Sequence, residues 1–380
     1  MPEPRPISGD DRSSPEVDLL ISCTRTRIGK EFSDRIRSAA QKKIDWIALI
    51  RLAMCHDVMP LLFQNLQRVC QEYVPHDVFR ALETRYHEQE ATAQRRAKEL
   101  VRVLALLKES EIPVVPYKGP ALAQRLYGHL SLREFCDLDI MMVEGDLPRA
   151  QEVIRRHGYK FAYLKRESQL TKYVRAHREL QFCNADGNML ELHWRFALQR
   201  PRVKGDPERF LQRLETVSLA GARVSGLPLE VYFLTLSLHA TKHKWKQLKL
   251  ICDIAEILGQ PGLDWQYVLR EADALGLKRM LAVGVLLAED PLEAVAPMEL
   301  KQGLKIDRAA QALATEVRRS LFKEPGREWH RHADYKFQFE IRERLQDKAS
   351  AFFWNWWPKL ARRFKPMPTW YDDEIAETTR

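Results

Sequence analysis

Strand-forming sequence is confined to one stretch of this chain, residues 112–196, and helical sequence flanks it on both sides. Before it, apolar residues recur at three-to-four spacing, and one such stripe from Phe79 to Leu107 predicts a single long helix. This pattern predicts an α+β fold: a small mixed β-sheet core with helices, flanked by N- and C-terminal helical modules. The predicted boundaries are a disordered tail at 1–14, a helical module at 15–111, the α/β core at 112–200 and a second helical module at 201–380.

Within the core, short apolar runs alternate with helical segments. We predict strands at 113–117, 138–143 and 159–163, and helices at 121–127 and 147–156. Two further strands, at 180–183 and 189–194, are expected to form a hairpin, because the Asp186-Gly187 turn between them supplies positive φ. After residue 200 the pattern is helical.

Composition narrows the classes of protein and partner. The 380 residues include 61 Lys and Arg against 52 Asp and Glu, and the net charge of +9 favours an anionic partner such as a nucleotide, a nucleic acid or an anionic lipid. Six scattered cysteines form no zinc or disulfide spacing. We find no apolar run of about 18 residues and no secretory h-region, so we expect a cytoplasmic protein without a transmembrane segment.

Two acids stand close together on the predicted strand at 138–143. Asp137 and Asp139 are separated by one residue, so their side chains project from the same face, about 6 to 7 Å apart along the chain. On the last predicted strand, Glu191 and His193 share a face in the same way. If the two strands are neighbours, three carboxylates converge, which is the hard-ligand set that Mg²⁺ prefers when it works with substrate phosphates.

An unspecialised interpretation of the same residues is open on spacing alone. Asp137 would then be a turn residue at the strand entry, Asp139 a partner of Arg133, and Glu191 a solvent-facing acid. Spacing does not decide between this interpretation and a metal site.

The ordered set of motifs resembles the polymerase-β-type nucleotidyltransferase superfamily, and most closely its bacterial branch of uncharacterised nucleotidyltransferases. The resemblance extends over most of the chain. The motifs are Ile44-Asp45-Trp46, Lys118-Gly119, Leu126-Tyr127-Gly128, Arg133, Asp137-Leu138-Asp139-Ile140, Glu191-Leu192-His193-Trp194, His239-x3-His243-x-Trp245 and Asp253-Ile254-Ala255.

The resemblance implies roles for individual residues. Asp137 and Asp139 would be the first two metal ligands and Glu191 the third, with Mg²⁺ or Mn²⁺ as the ion. Gly119 would mark the turn where the phosphates of ATP or another NTP lie against backbone N–H groups, with Lys118 beside it. The superfamily has Gly-Ser or Gly-Gly at this turn, whereas this chain has Gly119-Pro120, which lacks a hydroxyl and one N–H donor.

Basic and histidine residues supply further candidates. Arg133 can reach either the triphosphate or the carboxylates, and we favour the phosphate. His239, His243, Lys246 and Asp253 recur at offsets of 4, 3 and 7, which predicts one polar stripe along a helix. His239, Lys242, His243 and Lys246 are candidates for nucleotide binding. Two alternatives for the histidine pair are packing over a helix junction and zinc binding, but zinc is disfavoured because no HExxH pattern is present.

A second group of candidates concerns the acceptor and the C-terminus. His193 can orient a ligand or act as a base on an acceptor hydroxyl. The aromatic segment at 352–357, followed by Arg362, Arg363 and Lys365, is more typical of a terminal helix packed on the body than of a peripheral membrane or partner contact.

The expected function is metal-dependent transfer of an NMP, with AMP from ATP as the expected group, to a hydroxyl or phosphate of an acceptor. A small molecule, peptide or glycan acceptor is favoured over nucleic acid. One alternative is a catalytically inactive nucleotide-binding adaptor, which the Gly119-Pro120 turn supports. Another is an RNA-modifying nucleotidyltransferase, which the positive net charge permits.

Overall fold

The computed structural model describes residues 14–163, 170–195, 208–323 and 331–349. The tail expected before residue 14 and the aromatic segment at 352–357 lie outside these ranges. The helices before the sheet are α1 (Pro15–Cys23), α2 (Lys30–Ala40), α3 (Trp46–Cys55), α4 (Met59–Cys70) and α5 (His76–Glu109). Local capping fixes two of their starts, since the side chains of Ser14 and Asp45 accept hydrogen bonds from the backbone N–H groups of Val17 and Ala48.

The core is a five-stranded mixed sheet with the strand order β1-β2-β5-β4-β3. Only the β2–β5 pair among these strands is parallel, and the other neighbours are antiparallel. The strands are β1 (Val114–Pro116), β2 (Asp137–Met142), β3 (Lys160–Phe161), β4 (Glu179–Cys183) and β5 (Met189–His193), and the helices among them are α6 (Gly119–Leu122), α7 (Leu147–Arg156) and α8 (Leu170–Ala176). The predicted α+β class and the predicted hairpin of β4 and β5 are confirmed.

Past residue 207 the structure corrects one expectation. The pattern predicted helices throughout, but a two-stranded hairpin lies among the helices there, formed by β6 (Glu215–Leu219) and β7 (Ala222–Gly226). Its tight turn is Ala220-Gly221, with φ angles of 47° and 82°, as a two-residue hairpin loop requires. The strands are five residues long and mostly solvent-exposed, so they lack the apolar run that marked the strands of the core.

Helices make up the rest of the described chain. They are α9 (Glu208–Leu211) before the hairpin, and after it α10 (Leu229–Lys242), α11 (Leu248–Leu258), α12 (Trp265–Leu275), α13 (Lys278–Glu289), α14 (Met298–Leu304), α15 (Arg308–Ser320) and α16 (Arg331–Glu340). Within the described ranges, no helix combines the length and the apolarity needed to cross a membrane.

Two hydrophobic cores hold these elements together. One contains buried residues of α1–α4 together with those of α10–α15, so the helices before and after the sheet pack on one another. The other lies between the sheet and α7. The long helix α5 joins them, because Phe79 and Leu82 belong to the first core and Ala97 and Leu107 to the second. The division into three modules stays a prediction about organisation.

Candidate active site

Two acids are aligned at the centre of the sheet. In the parallel pairing of β2 with β5, Asp139 lies opposite Glu191. The strands that carry the predicted acids are therefore neighbours, which the convergence of their carboxylates requires. Leu138 and Leu192 point to the other face of the sheet, where they are buried in the core against α7. The acidic face looks instead toward the core of the flanking helices, to which Met141 contributes.

His193 holds the two aligned acids together. Its Nε2 lies 2.7 Å from Asp139 Oδ1 and 3.1 Å from Glu191 Oε2, and its Nδ1 lies 3.4 Å from Glu179 Oε2. Burial disfavours the charged imidazole, but the hydrogen bonds to Asp139 and Glu191 outweigh it and raise the pKa of His193 to about 9. At neutral pH both ring nitrogens therefore carry protons: Nε2 donates a hydrogen bond to Asp139, and Nδ1 lies in an ion pair with Glu179. The predicted role of His193 as a base stays a prediction.

Strand β4 supplies two partners that the sequence analysis did not name. Glu179 is aligned with His193, and Gln181 with Glu191. The Gln181 side chain donates a hydrogen bond of 2.6 Å to Glu191 Oε1, while Glu179 forms the ion pair with His193. The sequence carried a signal for these two partners. Residues two apart on β4 lie on one face of the sheet, and pairing β4 with β5 in a hairpin puts Glu179 and Gln181 on the face of Glu191 and His193.

Lys118 brings a second cation to Asp139. Its Nζ lies 3.0 Å from Asp139 Oδ1, and its side chain is only 12% exposed. Burial disfavours the ammonium, but the negative charge of Asp139 and weaker contributions from its neighbours raise the pKa of Lys118 well above its ordinary value. Lys118 is therefore charged, and it is placed beside the predicted metal ligands.

The turn after Lys118 explains why a glycine follows it. Gly119 has φ of 57°, and a Cβ at this position would meet the backbone oxygen of Asp137 at 3.0 Å. Just before it, the Tyr117 N–H donates to the Asp139 carbonyl at 2.9 Å. The turn is thus pressed against the first residues of β2, so that Lys118 reaches the acids. Whether phosphates lie on this turn stays a prediction.

Asp137 and Asp139 have opposite electrostatic environments. The charge of Asp139, together with burial, raises the pKa of Asp137 to about 7. For Asp139 burial acts in the same direction, but Lys118 and His193 outweigh it and hold its pKa well below the ordinary value. Lys118 and His193 therefore act more strongly on Asp139 than on Asp137, and Asp139 keeps its negative charge more readily.

The C-terminal end of α10 brings three predicted residues into the same electrostatic neighbourhood. His239 and Lys242 are half-buried and His243 is exposed. The rings of His239 and His243 lie 4.6 Å apart between centroids. Loss of solvent around the imidazole lowers the pKa of both histidines, to about 4 for His243 although part of its surface is exposed, and the charges of Lys242 and Lys118 contribute to both shifts. Burial lowers the pKa of Lys242, and the negative charge of Glu179 opposes this shift.

The predicted helical stripe from His239 to Asp253 is wrong, because α10 ends at Lys242, the chain turns sharply, and α11 begins at Leu248. Lys244 and Trp245 both have positive φ, and Trp245 is fully buried beneath the turn. Lys246 follows it and is exposed. The nucleotide contacts predicted for His239, Lys242, His243 and Lys246 remain predictions.

Arg133 is held by a residue far away in the chain. Its Nε and one terminal nitrogen donate to the two oxygens of Asp253, each at 2.8 Å, and Tyr127 donates its hydroxyl to the same carboxylate at 2.7 Å. Arg133 and Asp253 are both buried. The pairing of Asp139 with Arg133, considered in the unspecialised interpretation, is not what the structure shows. A phosphate contact of Arg133 stays a prediction, and it would fall to the terminal nitrogen that does not bind Asp253.

The donor set is suited to a hard divalent cation. Asp139, Glu191 and His193 bring their side-chain polar atoms within 4.8 Å of one another, which among the described residues is the one such group of three. Because the protonated His193 ring has no lone pair to offer, the ligands of this group are the oxygens of Asp139 and Glu191. Asp137 lies outside this group and shares the face of β2 with Asp139. Carboxylate oxygens are the ligands that Mg²⁺ and Mn²⁺ take, so these residues fit the predicted ion.

Comparison with known families agrees with the sheet and its acidic face. A family model described as "Uncharacterised nucleotidyltransferase" matches residues 42–293, which is more than half of the chain. The protein belongs to this nucleotidyltransferase family. The chain has no significant match among curated proteins or among solved structures.

Proposed function

We propose that the protein is a metal-dependent nucleotidyltransferase that moves an NMP, with AMP from ATP as the expected group, onto a hydroxyl or phosphate of an acceptor. Membership of the nucleotidyltransferase family supports the reaction class. The observation that carries the proposal is the alignment of Asp139 with Glu191 on neighbouring parallel strands, with Lys118 and His193 both on the Asp139 carboxylate.

The acidic residues and His193 would have different roles in the reaction. Asp137, Asp139 and Glu191 would hold Mg²⁺ or Mn²⁺, and bound divalent ions would supply activation of the acceptor oxygen and charge neutralisation on the triphosphate. His193 keeps the Asp139 and Glu191 carboxylates turned toward one point. Such preorganisation is the main contribution a protein makes to phosphoryl chemistry, because the ligands need not rearrange during the reaction.

The end of α10 supports a phosphate-binding role. Lys118 and Lys242 supply positive charge beside the carboxylates, and the neutral rings of His239 and His243 can donate hydrogen bonds. A triphosphate next to the acids would be matched by this positive border. We expect the acceptor to be a small molecule, peptide or glycan.

Calorimetric titration of ATP in the presence of Mg²⁺ tests the proposal. Wild type, Asp139→Asn and Glu191→Gln would be compared with Asp186→Asn, a control in the exposed β4–β5 turn. We expect the two site variants to weaken binding at least about tenfold, because each removes one charge from the ligand set. Equal affinity in all four proteins would refute the metal-site assignment.

A catalytically inactive nucleotide-binding adaptor is the second candidate. The Gly119-Pro120 turn favours it, because Pro120 has no N–H to donate to a phosphate. An adaptor would bind ATP with Mg²⁺ in the same titration but release no pyrophosphate with any acceptor fraction.

A further inference from the structure

Two protein cations meet on a single carboxylate oxygen. Lys118 Nζ and His193 Nε2 lie 3.0 Å and 2.7 Å from the same atom, Asp139 Oδ1. We propose that Lys118 is a built-in counterion that occupies the cation position on Asp139 while no metal is bound, and that it transfers to the nucleotide phosphates when a metal–nucleotide complex enters. The inference rests on the proposed function.

The need for a counterion follows from the charges on this face of the sheet. Asp137, Asp139, Glu179 and Glu191 place four carboxylates around one imidazolium. Asp139 is 1% exposed, so solvent does little to screen it. His193 is one cation shared among these carboxylates, and the ammonium of Lys118 supplies a second positive charge to the buried Asp139.

Lys118, rather than His193, is the cation that can leave. His193 is held by carboxylates at both ring nitrogens, and its ring packs edge-on against Tyr117 with centroids 5.3 Å apart. Lys118 reaches Asp139 through a flexible four-carbon chain from a turn that is itself fixed by Gly119. Its ammonium can therefore change partners while its backbone stays in place.

The position of Lys118 in the chain supplies the second partner. It directly precedes Gly119, on the turn where the phosphates are expected, and its charge acts on His239 and Lys242 at the end of α10. A phosphate bound there would offer Lys118 an anion in exchange for Asp139. The oxygen that it releases would then be free to serve as a metal ligand.

This exchange predicts coupled binding. A divalent cation without nucleotide must displace Lys118 from Asp139, and the displaced ammonium gains no new partner. With ATP present, the ammonium gains a phosphate, so ATP should strengthen metal binding and the metal should strengthen ATP binding by the same factor.

The test is titration of Mn²⁺ alone, followed by electron paramagnetic resonance. We would compare wild type with Lys118→Met and with Lys242→Met, a variant that removes one positive charge near the site without touching Asp139. We expect Lys118→Met to bind Mn²⁺ at least about tenfold more tightly than wild type, as for removal of a direct competitor in a buried charge cluster. Lys242→Met, which alters only the surrounding field, should change the affinity by less than about threefold. ATP should strengthen Mn²⁺ binding in wild type and much less in Lys118→Met.

Two outcomes would overturn the inference. If Lys118→Met binds Mn²⁺ no more tightly than Lys242→Met, Lys118 is not a competitor. That result leaves the proposed function standing if Asp139→Asn still abolishes Mn²⁺ binding. If neither wild type nor Lys118→Met binds Mn²⁺, with or without ATP, the inference and the metal-dependent function both fail.

A measurement on the wild-type protein covers the case in which Lys118→Met does not fold. Reductive methylation followed by mass spectrometry reports how reactive each lysine is. Lys118 should react slowly in the metal-free protein, faster with Mn²⁺ alone, and slowly again with Mn²⁺ and a non-hydrolysable ATP analogue. Exposed Lys108 on α5 serves as the reference that should not change. An unchanged rate at Lys118 on adding Mn²⁺ would contradict the exchange.

Discussion

Removal of Arg133 should destabilise the protein strongly, because it leaves a buried charge behind. In Arg133→Met, the Asp253 carboxylate would keep only the Tyr127 hydroxyl in place of three donors. Both members of the pair are at most 5% exposed, so water cannot replace the lost guanidinium. Breaking a buried pair from one side costs about 3 to 5 kcal/mol of unfolding free energy, and we expect a loss in that range.

A double-mutant cycle separates the pair from the packing of its side chains. The second variants are Asp253→Leu and the combination Arg133→Met with Asp253→Leu, and unfolding in urea would be followed by circular dichroism and tryptophan fluorescence. The double variant should be more stable than Arg133→Met by about 3 kcal/mol or more, because no unpaired charge remains. Tyr127→Phe, a milder control, should cost about 1 kcal/mol. Additive losses, or a loss of less than about 1 kcal/mol in Arg133→Met, would refute the reasoning.

The same double variant decides the predicted phosphate role of Arg133. A protein that keeps its fold but loses ATP affinity would confirm that the remaining nitrogen of Arg133 binds phosphate. Unchanged ATP affinity would limit Arg133 to its contact with Asp253.

Three further substitutions test the geometry. Gly119→Ala should cost about 1 to 2 kcal/mol of unfolding free energy, since φ is 57° and Cβ would meet the backbone of Asp137 at 3.0 Å; an unchanged urea midpoint would contradict this. Burial lowers the pKa of His56 to about 4, and its Nδ1 accepts the N–H of Leu248 at 3.2 Å. The unfolded chain therefore binds more protons than the folded one, and stability should fall by up to about 3 kcal/mol from pH 6.5 to pH 4. His56→Gln should lose that part of the pH dependence, and equal slopes in both proteins would count against it. His193→Gln should cost about 3 kcal/mol of unfolding free energy, because it loses charge-assisted hydrogen bonds to two carboxylates. A stability equal to wild type would show that His193 does not hold these carboxylates together.

Short-range sequence patterns were sufficient to predict which side chains form the acidic face of the sheet. The spacing of Asp137 and Asp139, and of Glu191 and His193, predicted which side chains share a face, because strand periodicity is local. The apolar stripe along α5 and the Asp186-Gly187 turn could be predicted for the same reason, since both are local patterns. Whether β2 and β5 are neighbours was left as a condition by the sequence, and the structure pairs them.

Ion-pair partners that depend on tertiary packing could not be predicted from the sequence. Spacing offered Arg133 as a partner for Asp139, but the structure gives Arg133 to Asp253, 120 residues later in the chain, and Lys118 to Asp139. A buried carboxylate takes whichever cation the fold brings to it, and that depends on how α11 packs against residues 123–127 and the loop that carries Arg133. The β6–β7 hairpin was missed because its strands are exposed and therefore carry little apolar signal.

Transfer of label from ATP tests the central claim most directly. Wild type and Asp139→Asn would each be incubated with Mg²⁺, fractionated cell extract as the acceptor source, and ATP labelled at either the α- or the γ-phosphate. A nucleotidyltransferase should place the α-label on an acceptor and release the γ-label as pyrophosphate, with both signals lost in Asp139→Asn. Transfer of the γ-label to the acceptor, or pyrophosphate release by wild type no greater than that by Asp139→Asn, would contradict the account.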